Sequence, residues 1–327
     1  VSRRARLSAI GLLCAVTAAL SVACGASTDK PGAQNNPGGA APCTPGAPVN
    51  APPPQPLVVE PQVDAAIAAK VPSAVKSKGT LKIATDASYA PNEFIPEGSS
   101  QIVGMDVDLG QALAKKLGLK AEFVNATFDG LIAGTQSHRF DLIMSSMTDS
   151  KEREKTIDFV TYFQAGTSTM VVKCNPKGIK ADTDLCGKNV GAENGTVQLD
   201  ALTKEDADGS IVKICKDAGK PAPVGKGFPK QTDVNAALAA NRIDAYMADT
   251  PVVDYAVKIT GNAFEKVGDA EGVAPYGIGV PKDAGTFKDA LADGMNALIA
   301  DGTYKKILDN WGVGSGAIEK SVVNGAQ

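Results

Sequence analysis

The chain has 327 residues, 21% of them charged and 43% hydrophobic, with a formal net charge of −3 at neutral pH. That is globular material, long enough for two compact lobes with cores of their own. Arg3, Arg4 and Arg6 fall in a segment expected to be removed, and −3 less those three positive charges leaves −6. A chain with that balance offers no basic face to nucleic acid.

Behind the three arginines, residues 7–23 carry no charge, and Ala18-Ala19-Leu20-Ser21-Val22-Ala23 leads into Cys24-Gly25. A basic start, a short apolar stretch and small residues at its end predict a signal peptide over 1–23. The small residues before Cys24 resemble a bacterial lipobox, with Ser21 where that pattern prefers leucine. The resemblance implies a diacylated Cys24 holding the chain on the extracytoplasmic face of the cell membrane, and two acyl chains suffice for stable anchoring. Two other readings stay open: ordinary cleavage that leaves Cys24 a free or paired thiol, and an uncleaved anchor, for which the stretch is at the short limit. Residues 25–56 are Pro, Gly, Ala, Asn and Ser with almost no large apolar side chain. Such a segment buries too little surface to offset its ordering entropy, which predicts a disordered tether over 24–60.

With Cys14 in the signal and Cys24 lipidated, Cys43, Cys174, Cys186 and Cys215 remain. An even count in an exported chain favours disulfides, with three connectivities open. Cys186–Cys215 is the favoured bridge, with Cys43–Cys174 a weaker second. The spacings fit no zinc pattern, and His138 is the sole histidine; no metal or cofactor is expected. His138 itself, in a polar Gln136-Ser137-His138-Arg139 stretch, is expected at the surface.

From Thr80 short apolar runs alternate with amphipathic periodicity, which predicts α/β layering. Residues 81–84 form a predicted strand ending at Thr85-Asp86. Met105, Leu109, Leu113 and Leu117 recur at helical spacing, with Gly118 placed to cap the helix. Residues 121–124 read as a strand, 129–133 open a helix, and 141–144 form a buried strand. Further strands are expected near 169–173, 189–192 and 244–248, and a helix over 233–241 with Val234 and Leu238 on one face. Thr250-Pro251, a capping residue followed by proline, starts another helix. Phe287, Leu291, Leu298 and Ile299 mark one closing helix, and Tyr304, Ile307, Leu308 and Trp311 the next. Residues 313–327 are expected to be a tail.

Repeated βα units place ligand sites outside the carboxyl ends of the strands. Four turns there stand out: Asp86-Ala87-Ser88-Tyr89, Ser145-Ser146-Met147-Thr148, Glu193-Asn194-Gly195-Thr196-Val197-Gln198 and Asp249-Thr250-Pro251. Together with Gly104-Met105-Asp106-Val107-Asp108-Leu109, Arg153 and the late Asp301-Gly302-Thr303-Tyr304, they resemble the polar amino-acid-binding proteins of ABC importers, the extracellular solute-binding family of the glutamine- and lysine/arginine/ornithine-binding proteins. The match runs from about Thr80 to Gly312, in order.

The resemblance implies a two-lobed, periplasmic-binding-protein-like (type II) α/β fold with two hinge crossings. Lobe 1 would be 80–167 and 277–312, and lobe 2 would be 168–276, closing over ligand like a hinged trap. The implied partners are a free amino acid and the permease subunits of an importer with a separate ATPase, since no GxxxxGK[ST] phosphate loop is present. The protein would act as a monomer.

A free amino acid presents a carboxylate and an ammonium on one carbon, so its receptor needs a guanidinium and a carboxylate facing each other. The resemblance gives Arg153 the carboxylate, which a guanidinium grips with two parallel hydrogen bonds, and gives Asp249 the ammonium. Read alone, Arg153 would be a solvated helix arginine and Asp249 an ordinary acid at a helix start. Ser146 and Thr148 match positions that touch the ligand backbone, and Gly195-Thr196 the loop whose amides reach the carboxylate from lobe 2. Tyr89 and Phe128 match the aromatic pair that sandwiches the ligand side chain, with core packing the plain reading for Phe128. In the resembling proteins an aspartate at the turn of Asp86 meets the distal nitrogen of the ligand, and Glu193 either faces the side-chain end or points to solvent. Two converging acids repel an acidic ligand and suit a cation, so arginine, lysine or ornithine is favoured, with glutamine next. Ala90-Pro91-Asn92-Glu93-Phe94 departs from the usual Pro-Phe, which leaves the mouth of the pocket open. Other readings of the same fold are a dehydratase with Glu193 as its acid, and a sensor that reports ligand to a membrane signalling protein.

Overall fold

The structure, a computed structural model, describes Cys43, residues 53–261 and residues 263–326. The expected signal peptide 1–23, Cys24 and the tether up to residue 52, Cys43 apart, lie outside the described residues. Among the described residues there are ten strands: β1 (Thr80–Thr85), β2 (Ser88–Tyr89), β3 (Glu93–Phe94), β4 (Lys120–Asn125), β5 (Leu142–Ile143), β6 (Ile157–Val172), β7 (Asn189–Glu193), β8 (Val224–Phe228), β9 (Ala245–Asp249) and β10 (Phe264–Pro281). Eight form one sheet in the order β4-β1-β5-β10-β6-β9-β7-β8, and β2 pairs with β3 as a small hairpin.

The sheet is built in halves. β4, β1 and β5 run parallel at one end, and β9, β7 and β8 run parallel at the other. Between them β6 and β10 pair antiparallel from Phe264↔Val172 to Pro281↔Ile157, with register shifts between Val267 and Ala274. Among the described residues these two long strands are the elements of the sheet that serve both halves, and along them the chain crosses between the halves twice.

Strand alternation gives each half a core on both faces. In β1, Leu81 and Ile83 join the cluster under the helices Met105–Lys116, Phe287–Ala300 and Thr303–Trp311, while Ala84 faces Leu131, Phe140 and Phe159. In β6, Met170 packs with Val234, Leu238 and Tyr246, and its neighbour Val171 packs with Val190, Leu202 and Ile211 on the opposite face.

The helix Met105–Lys116 follows the expected periodicity, and Gly118 terminates it in the left-handed region at φ 74°. Its start depends on Gly104, at φ 142°, where a Cβ would lie 2.1 Å from the Asn92 carbonyl oxygen. That contact seats the hairpin on the helix, with Met105 N–H donating to Pro91 O and Asp106 N–H to Asn92 O.

Several expectations need correction. The segment from 128 begins as a 3-10 turn, Phe128–Gly130, before the helix Leu131–Gln136. The strand expected near 169–173 is the end of the 16-residue β6, and that at 141–144 pairs only over Leu142–Ile143. Residues 57–60, read as tether, lie against the body: Leu57 N–H donates to Asp108 Oδ2 at 2.8 Å, and Leu57 and Val59 pack on the large core. Nor are residues 321–326 a free tail. They run beside the first half of β6, where Ser321 Oγ donates to Thr161 O and Asn324 N–H to Phe159 O. Both bridges, Cys186–Cys215 and Cys43–Cys174, are formed. His138 is exposed beside Asp283.

Candidate ligand-binding site

The carboxyl ends of β1, β5, β7 and β9 converge on one narrow pocket. Each strand ends in one of the turns singled out from sequence. Asp86 follows β1, Ser146 and Thr148 follow β5, Glu193 closes β7, and Asp249 closes β9 and caps the helix Thr250–Ile259. Nine of the ten sequence-predicted ligand residues line the cavity: Asp86, Tyr89, Phe128, Ser146, Thr148, Arg153, Glu193, Thr196 and Asp249. The tenth, Gly195, stands at its edge. Cys24 lies outside the described residues.

One end of the cavity holds Arg153 and Asp249. Arg153 sits in the short helix Lys151–Glu154, whose cap Ser150 accepts from the Arg153 N–H. Its Nη1 donates to Thr148 O at 2.8 Å and its Nη2 to Gly195 O at 2.9 Å, with the guanidinium 5.6 Å from the centre of the Phe128 ring. A guanidinium has five N–H donors, so these two bonds leave three for a ligand carboxylate. Removal from water pulls Arg153 down to about 10, against the raising charges of Asp249, Asp200 and Asp149; it stays a cation at neutral pH. The Gly195 carbonyl oxygen faces Arg153. Gly195 is required there. It has φ 78°, and a Cβ would meet Asp129 Cα at 2.9 Å.

Asp249 Oδ1 accepts from Gln198 Nε2 at 2.7 Å, and its own N–H donates to Tyr89 Oη at 3.1 Å. Burial raises its carboxyl, while the Tyr276 and Tyr89 hydroxyls, the Gln198 amide and the Arg153 charge pull the other way. Tyr89 thus joins the halves through its hydroxyl and packs its ring in the Met170–Tyr246 core. Phe128 is half-buried and faces Arg153.

The other end is acidic. Asp86 and Glu193 are 3% and 1% exposed, so Glu193 points into the cavity rather than to solvent. Phe128 N–H donates to Asp86 Oδ2 at 3.0 Å, while Glu193 Oε1 is buried with no partner. Burial first, then the charge and hydrogen bonding of Asp86, push Glu193 up to about 9.

Sequence reasoning missed Glu93, Val197 and Gln198 in the lining. Glu93, in β3, accepts from Ser145 Oγ at 2.9 Å, and the same oxygen accepts from Asp86 N–H at 2.9 Å. Behind it, Asp106 Oδ2 accepts from Ser146 N–H at 2.6 Å and from Tyr162 Oη at 2.8 Å. These bonds hold Ser146 at φ 46°, an unusual conformation for a residue with a side chain. Burial drives Glu93 well above the carboxylate range and Asp106 to about 6. Glu93 and Gln198 both lie inside stretches that drew notice in the sequence, but nothing local showed that their side chains turn inward.

Residues 81–314 match the bacterial extracellular solute-binding proteins, family 3. The chain belongs to that family. Among its relatives, it is 31% identical over 235 residues to ABC transporter arginine-binding protein 1 of Escherichia coli K12, covering 71% of this chain and 90% of that one. It is 30% identical to the L-cystine-binding protein TcyJ of the same organism, over 72% and 84% of the two chains. Among solved structures, an ancestral arginine-binding protein bound to arginine superposes with a TM-score of 0.63 at 35% identity, over 71% of this chain and 98% of that one. An ancestral arginine-binding protein bound to glutamine gives 0.63 and 35%, over 72% and 98%. The family and these relatives are binding proteins rather than enzymes, which sets the dehydratase reading aside; one neighbour, at 31% identity, is an ancestral amino-acid-binding protein that is a precursor of cyclohexadienyl dehydratase.

Proposed function

We propose that this protein is an extracytoplasmic lipoprotein that captures a free cationic amino acid and delivers it to the permease of an ABC importer with a separate ATPase. The observation that carries this reading is the polarity of one pocket. At one end a guanidinium and a carboxylate, Arg153 and Asp249, match the α-carboxylate and α-ammonium of an amino acid. At the other, Asp86 and Glu193, with Glu93 beside them, match a cationic tip. Tyr89 and Phe128 line the cavity between and suit an aliphatic stem. Relatives named for arginine, and ancestral arginine-binding proteins bound to arginine or to glutamine, support the same class.

In this reading residues 80–167 and 277–312 form one lobe and 168–276 the other, and β6 and β10 act as the hinges. Lipid on Cys24 holds a monomer at the membrane, on a tether that lets the lobes reach the permease. Native mass spectrometry of freshly purified protein tests the capture: a co-purified mass equal to arginine, lysine or ornithine supports it, and an acidic ligand sinks it. A sensor role uses the same cavity, and transport assays in cells lacking the permease separate the two.

A further inference from the structure

We propose that the Asp86–Glu193 pair sorts amino acids by charge through a proton: a neutral ligand closes the site with uptake of one proton between these carboxyls, whereas a cationic ligand occupies that place itself. The proposal rests on the reading of the cavity as an amino-acid site and says how that site chooses.

The two acids come from opposite halves of the sheet, Asp86 from the end of β1 and Glu193 from the end of β7. In the proposal the two acids are separate before the halves close and meet on closure. Apart, each faces water and ionises in the ordinary carboxylate range. Together they are buried in one cavity, and Glu193 Oε1 has no hydrogen-bond partner in the protein. The surroundings offer little to offset a second negative charge. On the Asp86 side stand the Ser88 side chain and the Phe128 N–H, with Glu93 a further acid. From the segment before the helix Gln231–Ala239 come the Gln231 N–H and Lys230, whose side chain is exposed. Tyr89 adds a buried phenol that burial and the neighbouring acids keep protonated. Arg153 and Asp249 lie at the far end, where the guanidinium is bonded to Thr148 and Gly195.

With the halves together and no cation between the acids, Glu193 is held at about 9. A guanidinium or ammonium tip placed there stabilises both anions and removes that shift. A primary amide donates hydrogen bonds but brings no charge, so the proton stays. The sign follows from linkage. A group whose pKa is raised on closure favours closure at low pH, and the benefit is lost as pH rises from the ordinary carboxylate range toward about 9. Affinity for a neutral ligand therefore falls with pH by up to about tenfold per unit. Affinity for a cationic ligand does not, and selectivity for the cation grows with pH.

The test is calorimetric titration of the intact mature protein with arginine and with glutamine, at about pH 5.5, 7 and 8.5, in two buffers of different ionisation enthalpy. Glutamine should take up close to one proton at about pH 7 and weaken at least tenfold from the lowest to the highest pH, while arginine takes up none. Glu193→Gln should abolish the uptake with glutamine and flatten its pH profile. Glutamine binding without proton uptake, uptake that persists in Glu193→Gln, or glutamine silent at every pH while arginine binds would each overturn the proposal. If neither amino acid binds at any pH, the amino-acid reading itself falls, and this proposal with it.

Discussion

Arg153 Nη2 donates to the Gly195 carbonyl oxygen at 2.9 Å, which ties a side chain carried between β5 and β6 to a backbone oxygen that follows β7. The group proposed to grip the ligand carboxylate is thus also a clasp between the halves, so capture and closure share one residue. Gly195 makes the clasp geometrically feasible, since a side chain there would strike Asp129.

Gly195→Ala should therefore weaken ligand binding while leaving the separate cores intact. The alanine must hold a left-handed backbone, costing about 1–2 kcal/mol, and its Cβ obstructs the approach of Asp129 at 2.9 Å. Calorimetry should show at least about tenfold weaker binding. Unchanged affinity would mean that the halves close without this contact.

Arg153→Ala and Asp249→Ala should each abolish measurable amino-acid binding with the fold retained. Each removes half of a charge pair that is withdrawn from water, typically worth ~2–5 kcal/mol. Binding within about threefold of the unaltered protein, under ~1 kcal/mol, would remove both residues from the assigned roles.

How far the molecule was legible in its sequence follows from the range of the interactions. The helices Met105–Lys116 and Thr303–Trp311 were readable because their apolar stripes are local and their caps are glycines at 118 and 312. β6 was read only at its end and β10 not at all. Their middle portions carry Gly166, Thr167 and Ser168 on one strand and Gly268, Asp269 and Gly272 on the other, a turn-like composition, and they are strands only because they pair with each other about a hundred residues apart. The 321–326 strap was invisible for the same reason, its partners lying near Phe159 and Thr161. In the site, the turns at 86–89, 145–148 and 193–198 were visible as turns and gained roles only through family resemblance. Glu93 escaped because a two-residue hairpin strand has no periodicity from which to tell which side chain turns inward.

Acid should reveal a different ion cluster at the start of β6. Asp158 accepts from Lys282 and Lys288, each at 2.6 Å, and from Asn324 Nδ2 at 3.0 Å. Burial alone would raise its carboxyl, but these donors together hold it at about 2. A pKa depressed in the fold contributes stability above the unfolded value and loses it as pH falls through the folded one, here from about 4 to about 2. Asp158→Asn should cost ~1–2 kcal/mol at neutral pH, after discounting solvent screening of the half-exposed lysines. It should also flatten the acid limb of a stability profile measured by urea unfolding. A variant as stable as the parent at neutral pH would show that the cluster contributes nothing net.

Membrane attachment should depend on Cys24. In a host that processes lipoproteins, Cys24→Ser should move the protein from the membrane fraction to the soluble fraction or the medium. Equal retention of the variant would exclude lipid on this residue as the anchor.

The most direct measurement is a calorimetric series of the unaltered protein and Asp86→Asn with arginine, glutamine and glutamate. Arginine should bind most tightly, glutamine next and glutamate least, because a side-chain carboxylate would face Asp86, Glu193 and Glu93, with Lys230 exposed and outside the lining. Asp86→Asn should weaken arginine by ~1.5–3 kcal/mol, the worth of a charge-assisted hydrogen bond, and affect glutamine less. Glutamate binding the unaltered protein more tightly than both arginine and glutamine would contradict the account, since the acidic end of the cavity could not then be where the ligand side chain is read.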